Sequence, residues 1–290
     1  MKESVGLIDL SSRSKFSLTS AHSESLSNLL EALCPDQNII SAMADGDIIS
    51  GSVVVSGPKS IRVDILKTNT SNYTLMTEAD QHTFLEHSVL EKMKTFNDVH
   101  LDNVTGKFAS FGLIGPKSEQ LLKELLPPTE LLTSIREVQS VAVDMGYATS
   151  VTLSKHFSNS NNGWQILVPS QFSQNLFSKL LKKGQTHAIR NIGTIALNSF
   201  LMNSSMQSSN KDNVIGVVVD VTNDANWPWG GEPVMGEEDS VVGQITSVGY
   251  DMKNCGQVFG YISVSGDKEV VVGDSVTVQV GCDAYNGNVV

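Results

Sequence analysis

Up to about Phe200 the sequence alternates leucine-spaced segments with short β-branched runs, and after Asn213 every apolar run is of the strand type. A helix buries a stripe that recurs every three to four residues, whereas a half-buried strand buries every second one. The change of period therefore limits the chain to a mixed part followed by an all-β part.

Four segments carry the helical period. Leu26, Leu29, Leu30 and Leu33 form one face that stops at Pro35, and the stretch from Glu78 to Phe96 puts Leu85, Val89, Met93 and Phe96 on one stripe. A third helix is expected from Gly115-Pro116 through Leu121, Leu122, Leu125 and Leu126 to the Pro127-Pro128 stop. The fourth follows Pro169 with Phe172, Leu176 and Leu180, and its end at Lys182, Lys183 and Gly184 predicts a left-handed glycine cap. Between them lie strand-like runs at Lys15 to Thr19, Ile48 to Val55, Ile61 to Leu66, Tyr73 to Met76, Phe108 to Ile114, Tyr147 to Leu153 and Trp164 to Val168. Their irregular alternation with the helices favours an α+β arrangement, with helices packed on largely antiparallel sheet, over a doubly wound one.

The segment Asn203 to Asn213 is polar and without period, as a linker is. Beyond it Val214 to Val221, Val241 to Val248, Val258 to Val264, Glu269 to Val272 and Ser275 to Val280 read as strands of a small antiparallel barrel or sandwich. The expected organisation is thus a first domain over 1–203, a linker over 204–213 and a β-barrel over 214–290.

Composition narrows the functional classes. The 290 residues carry a net charge of −11, so a polyanion is repelled and no basic patch offsets that field; no nucleic acid is expected as a partner. The longest apolar runs are far shorter than a bilayer requires, so no membrane is expected either. Cys34, Cys255 and Cys282 are odd in number and far apart, which suits neither a disulfide framework nor a zinc site. No targeting leader is readable at the start.

Chemistry-bearing motifs are sparse. There is no phosphate-binding glycine loop, no zinc-protease helix motif and no nucleophile elbow. His82 and His87 are five apart, which does not put two ligands on one helical face, and no metal site is expected. Asp45 and Asp47 flank Gly46 in a polar turn, where Asx-turn chemistry is the expected role, and Glu237, Glu238 and Asp239 read as a solvated hairpin tip. Trp227-Pro228-Trp229-Gly230-Gly231-Glu232-Pro233 is the most unusual local composition, a rigid turn whose indoles suit closure of a barrel end or anchorage of a partner.

Several segments, in order, resemble the folate-binding aminomethyltransferase family that includes the glycine-cleavage T-protein. They are Gly6-Leu-Ile-Asp-Leu-Ser11 with Lys15-Phe16, Gly115-Pro116, Gly163-Trp164, Ile189-Arg190-Asn191-Ile192-Gly193, and Gly231-Glu232-Pro233-Val234 followed by Val242 to Tyr250 and Gly260-Tyr261. Within the family, Asp102 to Thr105 with Lys107, Gly146-Tyr147 and the Trp227-Pro228-Trp229 turn are most similar to the branch of the pyruvate dehydrogenase phosphatase regulatory subunits and the dimethylglycine dehydrogenases. The resemblance implies an aminomethyltransferase-like fold of two intertwined α+β parts with a C-terminal Greek-key barrel. It also implies a mitochondrial matrix location, and a protein partner that is either a phosphatase catalytic subunit or a flavin-dependent dehydrogenase half, since those relatives carry an N-terminal flavin domain that this sequence does not show.

At the family's pocket positions this sequence departs from the pattern. The aspartate that assists one-carbon chemistry is matched by Gly51 and Ser52, and the folate-binding glutamate by Gln165, whose amide presents a donor where a carboxylate presents two acceptors. The arginine and glutamate that follow are matched by Leu201 and Asn203. Ser52, Gln165, Leu201 and Asn203 are therefore expected to form a degenerate folate pocket with no catalytic residue, in a regulatory or scaffolding protein that binds no cofactor. The alternative is a tetrahydrofolate-dependent one-carbon transferase, or the C-terminal portion of a dimethylglycine or sarcosine dehydrogenase-like demethylase. That reading needs tetrahydrofolate and an acid supplied from elsewhere, with Asp45, Asp47 or Asp64 as candidates.

Overall fold

The structure is a computed structural model. It describes residues 4–35, 40–56, 59–126, 139–143, 151–155, 163–205, 214–221, 228, 230–236, 240–250, 258–264 and 270–290. Two compact units divide the described chain, one up to Asn191 and one from Ile192 onward.

The first unit holds two sheets, and the chain crosses between them. Strand β1 (Gly6–Asp9) belongs to one sheet; β2 (Ser14–Ser20), β3 (Ile48–Ser56), β4 (Lys59–Asn69), β5 (Asn72–Thr77) and β6 (Val99–Asn103) make the other, in the order β3-β4-β5-β2-β6. The chain then returns through β7 (Phe108–Ile114), β8 (Ser140–Val143), β9 (Val151–Ser154), β10 (Gly163–Pro169) and β11 (Arg190–Asn191), which order as β11-β1-β7-β10-β9-β8. Among the described residues every pairing in this unit is antiparallel except β1 with β11. This is the expected α+β fold with two intertwined parts.

Each sheet carries helices on one face. Helix α1 (Ser23–Leu33) contains Ser23, Ser25, Ser27 and Asn28, all indifferent helix formers, yet buries Leu26, Leu29, Leu30 and Leu33 against Phe16, Leu18, Val63, Ile65 and Leu75. Each buried leucine contributes on the order of 2 kcal/mol, so the stripe outweighs the weak propensity. Helix α2 (His82–Met93) adds Leu85 and Val89 to the same core; the stretch expected from Glu78 opens with a 3₁₀ turn at Ala79–Gln81 before the α-helix begins. On the other sheet, α3 (Ser118–Leu125) and α4 (Ser173–Gly184) cover Phe111, Leu113, Trp164, Ile166 and Val168. Gly184 is not the left-handed cap expected. Its φ is −68°, the chain runs on into a 3₁₀ turn at Gln185–His187, and Ala188 takes the left-handed conformation at φ 53°. A Cβ at Gly184 would lie 2.6 Å from the Ile189 side chain, so close packing is what calls for glycine there.

The second unit begins with helix α5 (Thr194–Ser205), which takes in the first two residues of the expected linker; residues 206–213 lie outside the described set. Strands β12 (Val214–Val219), β13 (Pro233–Met235), β14 (Val241–Tyr250), β15 (Val258–Val264), β16 (Ser275–Val280) and β17 (Asp283–Val289) close into a barrel in the order β12-β15-β14-β13-β16-β17. The meander β13-β14-β15 with β12 returning beside β15 is the Greek-key arrangement. The run Glu269 to Val272 is not a strand in its described part. Val271 and Val272 are exposed, and the turn is closed by Val271 N donating to Asp274 Oδ2 and Asp274 N to Val271 O. Within the tryptophan turn Pro228 is buried and Gly230 and Gly231 take positive φ; Trp227 and Trp229 lie outside the described residues, as does the Glu237 to Asp239 tip. No described helix is long and apolar enough to cross a membrane.

Candidate functional site

The faces of the two sheets that carry no helix hold the buried polar residues Lys15, Asp64 and Gln165. On the β3-β4-β5-β2 sheet, Phe16, Leu18, Val63, Ile65 and Leu75 point to the helices, so their neighbours Lys15, Asp64 and Met76 point the other way. Register aligns them: Ser50 lies opposite Asp64, Asp64 opposite Met76, and Met76 opposite Lys15. Four residues from four strands thus form one transverse row.

Asp64 is the one buried acid among the described residues. Its Oδ2 accepts from Nη2 of Arg13 at 2.8 Å and its Oδ1 from the Ser50 hydroxyl at 2.7 Å. Glu78 Oε1 lies 3.0 Å from Nε of Arg13, in ion-pair contact but off the line of a hydrogen bond. Burial works against the Arg13 charge, but Asp64 and then Glu78 outweigh it and hold the guanidinium above its ordinary pKa. Lys15 is fully buried, and its Nζ donates to the carbonyl oxygens of Ser11 at 3.0 Å and Arg13 at 2.8 Å. Desolvation, then the Arg13 charge, push this amine down to about 8 against the pull of Asp9.

Gln165 faces this row from the other sheet. Trp164 and Ile166 point to the helices, so Gln165 points away from them, 3% exposed. Its Nε2 donates to Ser110 Oγ at 2.9 Å and lies 3.8 Å from Met76 Sδ, which joins the two sheets. Its Oε1 is buried with no hydrogen-bond partner among the described residues.

The other expected site residues lie elsewhere. Ser52 is on β3 opposite Arg62, two residues along the same face from Ser50, and is half-buried. Leu201 and Asn203 fall on α5, with side chains outside the described residues. Asp47 closes its own turn, Oδ2 accepting from Ala44 N at 2.7 Å, three residues back rather than the two residues on of an Asx-turn. Asp45 sits exposed in the same turn. His82 binds Ser14 Oγ through Nδ1 at 2.9 Å, and no cluster of metal-binding side chains occurs among the described residues.

Arg13, Lys15, Ser50, Met76 and Ser110 are the members of the cluster that sequence reasoning missed. The one visible signal was Asp64 itself, a charge inside the apolar run Ile61 to Leu66. The charge of Asp64 is offset by the Arg13 guanidinium, and its other oxygen is met by the Ser50 hydroxyl.

Residues 1–214 match the sequence family described as GCVT N-terminal domain. The chain belongs to this family. Among curated proteins this GCVT-family chain is similar to the mitochondrial pyruvate dehydrogenase phosphatase regulatory subunit of Mus musculus, 26% identical over 203 residues. The match covers 68% of this chain and 22% of the mouse protein, so the chain spans about a fifth of that relative's length. Among solved structures it is similar to the glycine cleavage system aminomethyltransferase T from Bartonella henselae, with a TM-score of 0.72 and 14% identity, over 99% of this chain and 85% of that one. The second likeness is one of fold, and it confirms the aminomethyltransferase-like architecture.

Proposed function

We propose that this chain is a non-catalytic regulatory or scaffolding module of the GCVT family. The observation that carries the reading is the engagement of Asp64 by Arg13 and Ser50. In that state the carboxylate is a structural ion, with no uncompensated charge for a cationic carbon. The cluster does not fit the folate implied by the resemblance. Gln165 offers one free acceptor where a carboxylate offers two, and mispairing one buried group costs about 1–3 kcal/mol. The family resemblance and the mouse relative, a phosphatase regulatory subunit by name, support a protein partner and a mitochondrial location. The partner classes are a phosphatase catalytic subunit and a flavin-dependent dehydrogenase half.

The test is thermal melting of the whole chain with and without 5-formyltetrahydrofolate. A ligand that binds only the native state raises the melting temperature by mass action. No rise at millimolar ligand is expected. A rise of several degrees would overturn the reading and favour the tetrahydrofolate-dependent transferase.

A further inference from the structure

A cavity of about 520 Å³ opens in the first unit on the helix-covered side of the β1-β7 sheet, at the start of α4. That volume lies within the range of small-molecule sites. Phe108, Phe111 and Phe177 line it; the rings of Phe111 and Phe177 stand 5.7 Å apart at 34°. Among the described lining residues Asp9 is the only charged one. It stands at the end of β1, two residues after Leu7 and on the same face, and is exposed. One of its oxygens accepts from Ser11 N at 2.9 Å, and the other has no protein partner among the described residues. The Lys15 amine does not take it, because Nζ donates to the carbonyls of Ser11 and Arg13.

We propose that this cavity binds a small arylalkyl amine in its cationic form, with the ammonium on Asp9 and the ring on Phe108, Phe111 and Phe177. A carboxylate with one open oxygen supplies a charge-assisted hydrogen bond. Phenyl rings within reach of the ammonium add an electrostatic attraction that a neutral or anionic ligand does not receive. The start of α4 supplies Ser173 and Gln174, neutral polar groups that suit a hydroxyl at the far end of the ligand rather than a second cation. The lining adjoins the Asp64 and Gln165 cluster through Ser11 but shares no residue with it, so the proposal does not depend on the functional reading above.

The test compares three ligands of one shape on the whole chain by NMR titration: 2-phenylethylamine, 2-phenylethanol and phenylacetate. The amine is expected to bind at least about tenfold more tightly than the alcohol, with phenylacetate weakest, and to shift the amides of Ser11, Thr105 and Gln174. Asp9→Asn keeps an acceptor for Ser11 N and is expected to bring the amine down to the alcohol's affinity. A Cβ at Gly106, on the lining, meets nothing within 4 Å, so Gly106→Ala adds a methyl to the lining without disturbing packed atoms and is expected to weaken the amine. Equal affinity for the three ligands, no binding of the amine, or full amine binding by Asp9→Asn would each overturn the proposal.

Discussion

The guanidinium of Arg13 and the carboxylate of Asp64 meet at 2.8 Å, 51 residues apart in sequence, with both side chains at most 10% exposed. Each neutralises the other where water does not. Removing one partner leaves the other charge buried alone. Arg13→Met is therefore expected to cost about 3–5 kcal/mol of stability. The double variant Arg13→Met/Asp64→Leu is expected to be more stable than Arg13→Met alone, as measured by urea denaturation. Additive losses would show that the pair is not coupled.

Lys15 gives the fold a pH dependence with a definite sign. Its pKa is about 8 in the folded protein against 10.5 ordinarily, so between those values the unfolded chain binds the extra proton. Stability contributed by this group therefore rises with pH from about 8 to 10.5. Lys15→Met is expected to remove that rise and to be the more stable form near pH 7, where the native state of the parent holds a buried charge. The check is the difference between the two urea titration curves across pH 7 to 10.5.

Gln165→Glu places a carboxylate beside Ser110 Oγ and Met76 Sδ with one hydroxyl to serve it. It is expected to lose about 1–3 kcal/mol at neutral pH. Burial raises a carboxyl's folded pKa above its unfolded value, so the native variant holds the proton longer and the deficit against the parent shrinks as pH falls. Chemical denaturation at pH 7 and pH 5 reads both effects.

Gly249→Ala tests the seat of α5 on the barrel. A Cβ there would lie 2.7 Å from the Cα of Ser199, and the adjacent Tyr250 N donates to Ser199 Oγ at 2.7 Å. Backbone cannot yield as a flexible side chain can, so a loss of about 1–3 kcal/mol is expected. A calorimetric melt measures it.

The elements that sequence made legible are those whose burial repeats with a clean period. Leu26, Leu29, Leu30 and Leu33 are all buried, as are Leu121, Leu122, Leu176 and Leu180. Strand β17 escaped notice because it alternates Tyr285, Gly287 and Val289 with polar residues, and a glycine contributes no apolar signal. The run Glu269 to Val272 misled for the opposite reason: its valines suit a strand, but Asp274 ties the backbone into a turn. The resemblance matches Gly51 and Ser52 to the family's acid; that the candidate Asp64 on the neighbouring strand is buried opposite Ser50 is a matter of register, which linear matching does not see.

Periodicity and local motifs are written within a few residues of one another, so the mixed character of the first 200 or so residues, the all-β character of the rest and the family are legible in the chain before it folds. What the buried charges meet is set by the fold. Ser50, Asp64, Met76 and Lys15 share one row through strand register, and Arg13 and Gln165 reach it from other segments. Whether a carboxylate is reactive or merely structural depends on its counter-charge and its access to water, and both are set by residues distant in the chain.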